Sequence, residues 1–154
     1  MLALKNSIGE VLTEYIEAAD ESVLETGAFP PLRFAWVVAW YEGKALMVFH
    51  RRRAEWEIPG GRMEKRESPR DCMVRELKEE TGQTVHNLRL KGITKIRPPD
   101  GSGERAGALF AGELEEVVPF GGSDEIEKAC FWDGVAELKG VSQIDAALVR
   151  LVRS

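Results

Sequence analysis

Apolar residues near the start of the chain recur at helical spacing: Ile8, Val11, Leu12, Tyr15, Ile16, Ala19 and Val23. Ser7-Ile8-Gly9-Glu10 just ahead of them has the form of a capping box. Together they predict an N-terminal helix from about Ile8 to Glu25, ending near Gly27. It reads as a packing helix over a sheet, with a dimer contact or a substrate lid as the alternative. Phe29-Pro30-Pro31 breaks the pattern. Phe34 to Tyr41 is rich in β-branched and aromatic residues and predicts a strand; Glu42-Gly43-Lys44 signals a hairpin, and Ala45 to His50 the returning strand. Ser68, Pro69 and Gly82 frame a helix over about Pro69–Thr81 as N-cap, first helical residue and C′ stop. Leu88–Ile96, Ala106–Leu114 and Ile126–Trp132 read as strands, and Ser142-Gln143-Ile144-Asp145 caps a C-terminal helix. The expected fold class is α/β: a mixed sheet between helices, plus the N-terminal helix.

The 154 residues suit a single domain, 1–154, with residues 1–30 as a helical extension. A net charge of −5 argues against a nucleic acid polymer as partner. There is no run of roughly 18 apolar residues for a membrane span, and Met1-Leu2-Ala3-Leu4-Lys5 lacks a signal-peptide layout. Cys72 and Cys130 form no CxxC pattern and read as buried thiols in a reducing compartment, so the cytoplasm is the expected location. Both a monomer and a homodimer fit the sequence.

The chemistry concentrates between Gly60 and Gly82. Glu76, Glu79 and Glu80 share one helix face and repel one another unless a cation lies among them. Arg75 pairs with Glu79 at i+4 and relieves only part of this. Hard divalent cations with oxygen ligands are the natural remedy, Mg²⁺ above all where phosphate also binds. A solvated acidic surface is the alternative. Gly60 and Gly61, after Pro59, allow close backbone approach, and a carbonyl there offers a further metal ligand.

Gly61, Glu67, Arg75-Glu76-Leu77, Glu79-Glu80 and Gly82 stand at the spacing G-x5-E-x7-R-E-U-x-E-E-x-G-U, and this stretch resembles the Nudix box. The one departure is Gln83 where the pattern has an aliphatic residue, which bears on local packing more than on chemistry. Trp56 to Gly61 resembles the usual W-x-x-P-G-G lead-in. The resemblance covers about Phe34 to Arg153. It implies the family's α/β/α sandwich, with Glu76, Glu79, Glu80 and the Gly60 carbonyl as ligands of Mg²⁺ or Mn²⁺. Arg75 would orient a glutamate and Glu67 would support that network. Glu125, in the loop before the last strand, is the expected later carboxylate, a metal ligand or general base.

The resemblance also implies hydrolysis of a diphosphate linkage in a nucleotide-type small molecule. The MutT-like branch, which cleaves ordinary or oxidised nucleoside triphosphates to the monophosphate and pyrophosphate, is the first expectation. ADP-ribose or nucleotide-sugar cleavage is the alternative, on the strength of Pro98 and Pro99 some 15 residues past the box. A non-catalytic ligand-binding module is a second alternative. Arg51 and Arg53, in the run Arg51-Arg52-Arg53, with Lys95 and Arg97, are the candidate phosphate contacts. Phe34, Trp36, Trp56, Phe120 and Trp132 read chiefly as core, with stacking on a base as their other use.

Overall fold

The computed structural model describes residues 3–27 and 29–153, so the two ends of the expected 1–154 domain and the first residues of the leader reading lie outside the described residues. A short strand β1 (Leu4–Lys5) turns back into β2 (Val11–Glu17), and a 3-10 helix covers Glu21–Glu25. β3 (Leu32–Tyr41) and β4 (Lys44–His50) follow, then β5 (Glu55–Glu57), β6 (Gly60–Arg62) and helix α1 (Pro69–Thr81). β7 (His86–Arg97), β8 (Arg105–Glu113), β9 (Ile126–Trp132) and helix α2 (Gln143–Leu151) complete the chain.

The local signals do what their chemistry dictates. Glu42 and Gly43, with φ of 50° and 79°, form the left-handed two-residue turn between β3 and β4. Ser68 Oγ accepts from the Asp71 amide at 3.1 Å, and Gly82, at φ 77°, donates its N–H to the Lys78 carbonyl.

The strands form one nine-stranded sheet in the order β1-β2-β7-β8-β3-β4-β5, with β6 on β3 and β9 on β4. β3 and β8 run parallel and every other named pair is antiparallel, so the sheet is mixed. Alternation along β3 divides the core. Ala35, Val37 and Ala39 pack with Leu46 and Phe110 under Cys72, Met73 and Leu77 of α1. Val38 packs with Met47 and Leu109 under Ile144, Leu148 and Val149 of α2. Met73 and Leu77 are at most 1% exposed, and burying each stabilises the docking of α1 by roughly 1.5–3 kcal/mol. Both cysteines are free thiols, with Cys72 buried. Among the described residues no helix is long and apolar enough to cross a membrane.

The expected N-terminal helix from Ile8 to Glu25 is absent; the segment forms β2 and the 3-10 helix instead. β2 lies antiparallel on β7, from Val11 opposite Arg97 to Glu17 opposite Gly92, with an irregularity between Leu12 and Glu14. That bulge at Thr13 explains the misleading periodicity. An extra residue reverses the strand's parity, so Leu12 and Tyr15 face the same apolar cluster. The pairs Val11-Leu12 and Tyr15-Ile16 therefore recur at a helix-like interval of four. Gly9 sits at φ 82°, which no helix interior accommodates. The supposed cap, Ser7, gives its N–H to both carboxylate oxygens of Glu55 at 3.0 and 3.1 Å.

Gly92 tests this strand pairing. A Cβ there would stand 2.5 Å from the Tyr15 ring, whose hydroxyl donates to the Lys91 carbonyl. Gly92→Val should destabilise the fold by about 1–3 kcal/mol in urea titrations. A helical residue 8–25 segment would leave it near neutral.

Candidate active site

Gly60 and Gly61 set the geometry. β6 lies antiparallel on β3, with Gly60 opposite Trp36 and Gly61 opposite Ala35. A Cβ at Gly60 would stand 2.6 Å from the Ala35 carbonyl oxygen, so this backbone approach requires glycine. A Cβ at Gly61 would stand 2.3 Å from the Glu76 carboxyl carbon. The second glycine thus leaves the space that the Glu76 carboxylate fills.

Arg75 organises the carboxylates around it. Its Nε and Nη2 donate to the two oxygens of Glu67 at 2.6 and 2.9 Å, a bidentate pair. Nη1 donates to Glu76 at 2.9 Å and to Glu79 at 3.2 Å, and Nη2 also reaches the Arg62 carbonyl at 3.0 Å. All five guanidinium N–H donors are thereby used. These hydrogen bonds, from Arg75 first, hold the Glu67 carboxyl down to about 2 and push the guanidinium further toward its charged form.

Glu80 contrasts with Glu67. It is 6% exposed, and its Oε1 accepts from the Gly60 amide at 3.0 Å. Burial pushes its carboxyl up to about 8; the charges of Glu76 and Glu125 add to this, while the Gly60 amide and Arg53 oppose it. Burial likewise raises Glu76 against the pull of Arg75, with Glu79 and Glu125 adding repulsion. Glu125 itself is exposed, and its carbonyl accepts from the Arg51 amide at 2.8 Å. Its influence on both Glu76 and Glu80 places it on their side of the molecule.

This acidic face carries more negative charge than Arg75 neutralises, and its donors are carboxylate oxygens beside a glycine backbone. That donor set fits a hard divalent cation. Among the described residues no three acidic, histidine or cysteine side chains already converge as a finished metal cage. Arg75 holds one oxygen each of Glu76 and Glu79.

Three of the four expected phosphate contacts have acidic partners of their own. Arg53 donates from Nη1 alone to both carboxylate oxygens of Glu57, at 2.9 and 3.0 Å. Lys95 pairs with Glu14 of β2 at 2.9 Å, Arg51 lies 3.7 Å from Glu127, and Arg97 sits exposed at the end of β7. Pro99 packs against Gly9 of the N-terminal turn.

Beside Gly60 and Gly61 opens a cavity of about 360 Å³ on the α2 side of the sheet. Phe34, Trp36, Ile58 and Ile96 form apolar walls, and Arg53, Glu57 and Asp145 supply charge. Arg62 and Arg105 also line it. Arg62 pairs with Phe34, and Arg105 shares the β8 face of Gly107, which also pairs with Phe34. Trp36 stands edge-on to Phe34 at 5.1 Å, and its buried Nε1–H has no hydrogen-bond partner among the described residues. Sequence reasoning missed Arg62 and Arg105. Arg62 follows directly on the glycine pair, a position that could have singled it out; Arg105 carries no local signal. Asp145, legible in the sequence only as part of a helix cap, has a second role: its carboxylate accepts from the Ile58 amide at 2.8 Å.

The family model for the NUDIX domain matches residues 31–152. In Bacillus subtilis (strain 168), an uncharacterized Nudix hydrolase, YvcI, is 43% identical over 60 residues, 39% of this chain and 38% of that protein. The putative 8-oxo-dGTP diphosphatase YtkD of the same organism is 38% identical over 64 residues, 42% of this chain and 40% of its own. The matched segments thus span about two fifths of these curated relatives. Among solved structures, a point mutant of the Bacillus subtilis pyrophosphohydrolase BsRppH superposes with a TM-score of 0.72 at 21% identity, covering 99% of this chain and 93% of that one. A MutT NUDIX hydrolase from Burkholderia pseudomallei gives 0.69 at 13% identity, covering 80% of this chain and 98% of its own. At these identities the likeness is one of fold.

The buried pair Glu57 and Asp145 makes stability depend on pH. Burial, first in each case, raises both carboxyls, and for Glu57 repulsion from Asp145 adds to it. The folded protein therefore holds protons that the unfolded chain releases, and stability falls as pH climbs from the ordinary carboxylate range of roughly 4 through neutrality. In chelator-treated protein Tm should drop between about pH 4.5 and 8.5, and Asp145→Asn, which can still accept from the Ile58 amide, should lessen that drop by about 3 °C or more. An unchanged slope would remove Asp145 from this explanation.

Proposed function

Since the NUDIX model spans residues 31–152, the chain belongs to the Nudix family, and on that premise we propose that it is a divalent-metal-dependent pyrophosphohydrolase of nucleoside triphosphates. The observation that carries this reading is the Glu76 carboxylate lodged against Gly61 and clamped by Arg75, next to the buried Glu80. Glu76, Glu79, Glu80 and the Gly60 carbonyl would hold Mg²⁺ or Mn²⁺. Bound there, such an ion supplies positive charge against the phosphate chain and polarises a phosphoryl oxygen.

The protein's own groups do the rest. Glu67 anchors Arg75, and Arg75 keeps Glu76 and Glu79 aligned along the helix. Glu125 accepts a proton from the attacking water as its oxygen bonds to phosphorus; the bridging P–O bond breaks and pyrophosphate leaves. The cavity beside Gly60 takes the nucleoside, within the size range of small-molecule sites. Arg62 and Arg105 meet the anionic part of the substrate, as do Arg51 and Arg97. Arg53 and Lys95 join them only by leaving Glu57 and Glu14. The triphosphate reading draws support from YtkD, described as a putative 8-oxo-dGTP diphosphatase. Of Pro98 and Pro99, the basis for the ADP-ribose alternative, Pro99 lies against Gly9 of the N-terminal turn.

The test is a hydrolysis screen with Mg²⁺ or Mn²⁺ over ordinary and oxidised nucleoside triphosphates, ADP-ribose and nucleotide sugars. Release of pyrophosphate with the monophosphate is expected from a triphosphate. Paired monophosphates from ADP-ribose would move the enzyme to the other branch, and no turnover at all would leave a binding module. Glu79→Gln should lower kcat by roughly 10²- to 10³-fold with the fold intact.

A further inference from the structure

We propose that the N-terminal turn Asn6–Glu10, ahead of the residues the NUDIX model matches, is the specificity wall of the substrate cavity, and that Ile8 packs on the nucleobase. The proposal rests on the nucleotide reading above. Asn6, Ile8 and Glu10 line the same cavity as Trp36, Gly60 and Gly61. The NUDIX match begins at residue 31, so this wall lies ahead of the matched residues.

The turn is built rather than loose. Asn6 and Glu10 close it reciprocally: the Glu10 amide donates to Asn6 Oδ1 at 3.0 Å and Asn6 Nδ2 to Glu10 Oε1 at 2.6 Å. Ser7 fastens it to the rest of the molecule, its N–H to the buried Glu55 carboxylate and its Oγ to the Arg53 carbonyl at 2.9 Å. The Lys5 amide reaches Gln143 of α2 at 3.1 Å. Without the turn, Glu55, 6% exposed, would lose both of its contacts with the Ser7 amide. Domain and turn are therefore made for each other.

Within this rigid turn Ile8 is 46% exposed, an apolar side chain held at the edge of a cavity. Phe34, Trp36 and Ile96 give the same cavity further apolar walls, and Arg62 and Arg105 add charge to its lining. Apolar walls with a few charged groups among them suit a flat ring that carries polar atoms on its edge, which is what a nucleobase is. The sugar and phosphates then extend past Gly61 toward Glu76. Because the turn is already ordered, contact with Ile8 costs little conformational entropy.

The experiment compares wild type, Ile8→Ala and Ile8→Leu, each first shown to keep its Tm. Nucleoside monophosphates (AMP, GMP, CMP and UMP) are titrated against tryptophan fluorescence, and kcat and KM are measured on whichever nucleotide the screen finds. Ile8→Ala should raise Kd and KM roughly five- to thirtyfold, with kcat within about twofold. Inhibition by inorganic pyrophosphate, which lacks the nucleoside, should stay unchanged, and Ile8→Leu should restore most of the affinity. Kd and KM within about twofold of wild type, or an equal loss for pyrophosphate, would overturn the wall. If wild type hydrolyses nothing, the functional reading falls while the titrations still judge the wall; if no monophosphate quenches wild type, the wall falls too.

Discussion

Five hydrogen bonds from one guanidinium hold the site together. Arg75 joins the end of β6, the loop that carries Glu67 and the acidic face of α1, using every N–H it has. A lysine could not replace it, because an ammonium offers three donors from a single point and no planar fork for Glu67. The positions of Glu76 and Glu79 follow from it, and the space for Glu76 follows from the missing side chain at Gly61. Arginine and glycine act as one device: the first pulls the carboxylate into place, the second makes the place.

The same device divides the carboxylates by charge. Glu67 is held ionised by its arginine, while burial and like charges push Glu80 the other way. A group of acids poised in this fashion favours a cation arriving with a polyphosphate, since the cation removes the mutual repulsion. α1 can hold such a face because Met73 and Leu77, beside the buried Glu80, anchor it under the sheet. Docking energy from the core thus sustains an arrangement that electrostatics alone would push apart.

Much of this was legible in the sequence because it is local. Ser68, Pro69 and Gly82 bound α1, Glu42-Gly43 turn the hairpin, and the box spacing places the carboxylates. The failures are non-local. The bulge at Thr13 gave a strand the rhythm of a helix, and only its partner β7 resolves the ambiguity. β5 and β6 are three residues each, too short for periodicity to register. The partners that occupy Arg53 and Lys95, namely Glu57 and Glu14, come from the fold. Gln83, where the box has an aliphatic residue, is buried and trades hydrogen bonds with both the N–H and the carbonyl of Val118. Its place in packing was expected; its polar grip on the 115–120 loop was not.

Everything proposed for the site depends on whether the Glu76 cradle makes a metal site. Mn²⁺ binding to wild type and to Gly61→Ala, followed by electron paramagnetic resonance and calorimetry, tests this most directly. The atoms nearest the added methyl are the flexible end of Glu76, so the fold should survive with Tm within about 3 °C. Wild type should bind Mn²⁺, and the variant should bind it at least about tenfold more weakly. Equal affinity in the two proteins would contradict the cradle's role.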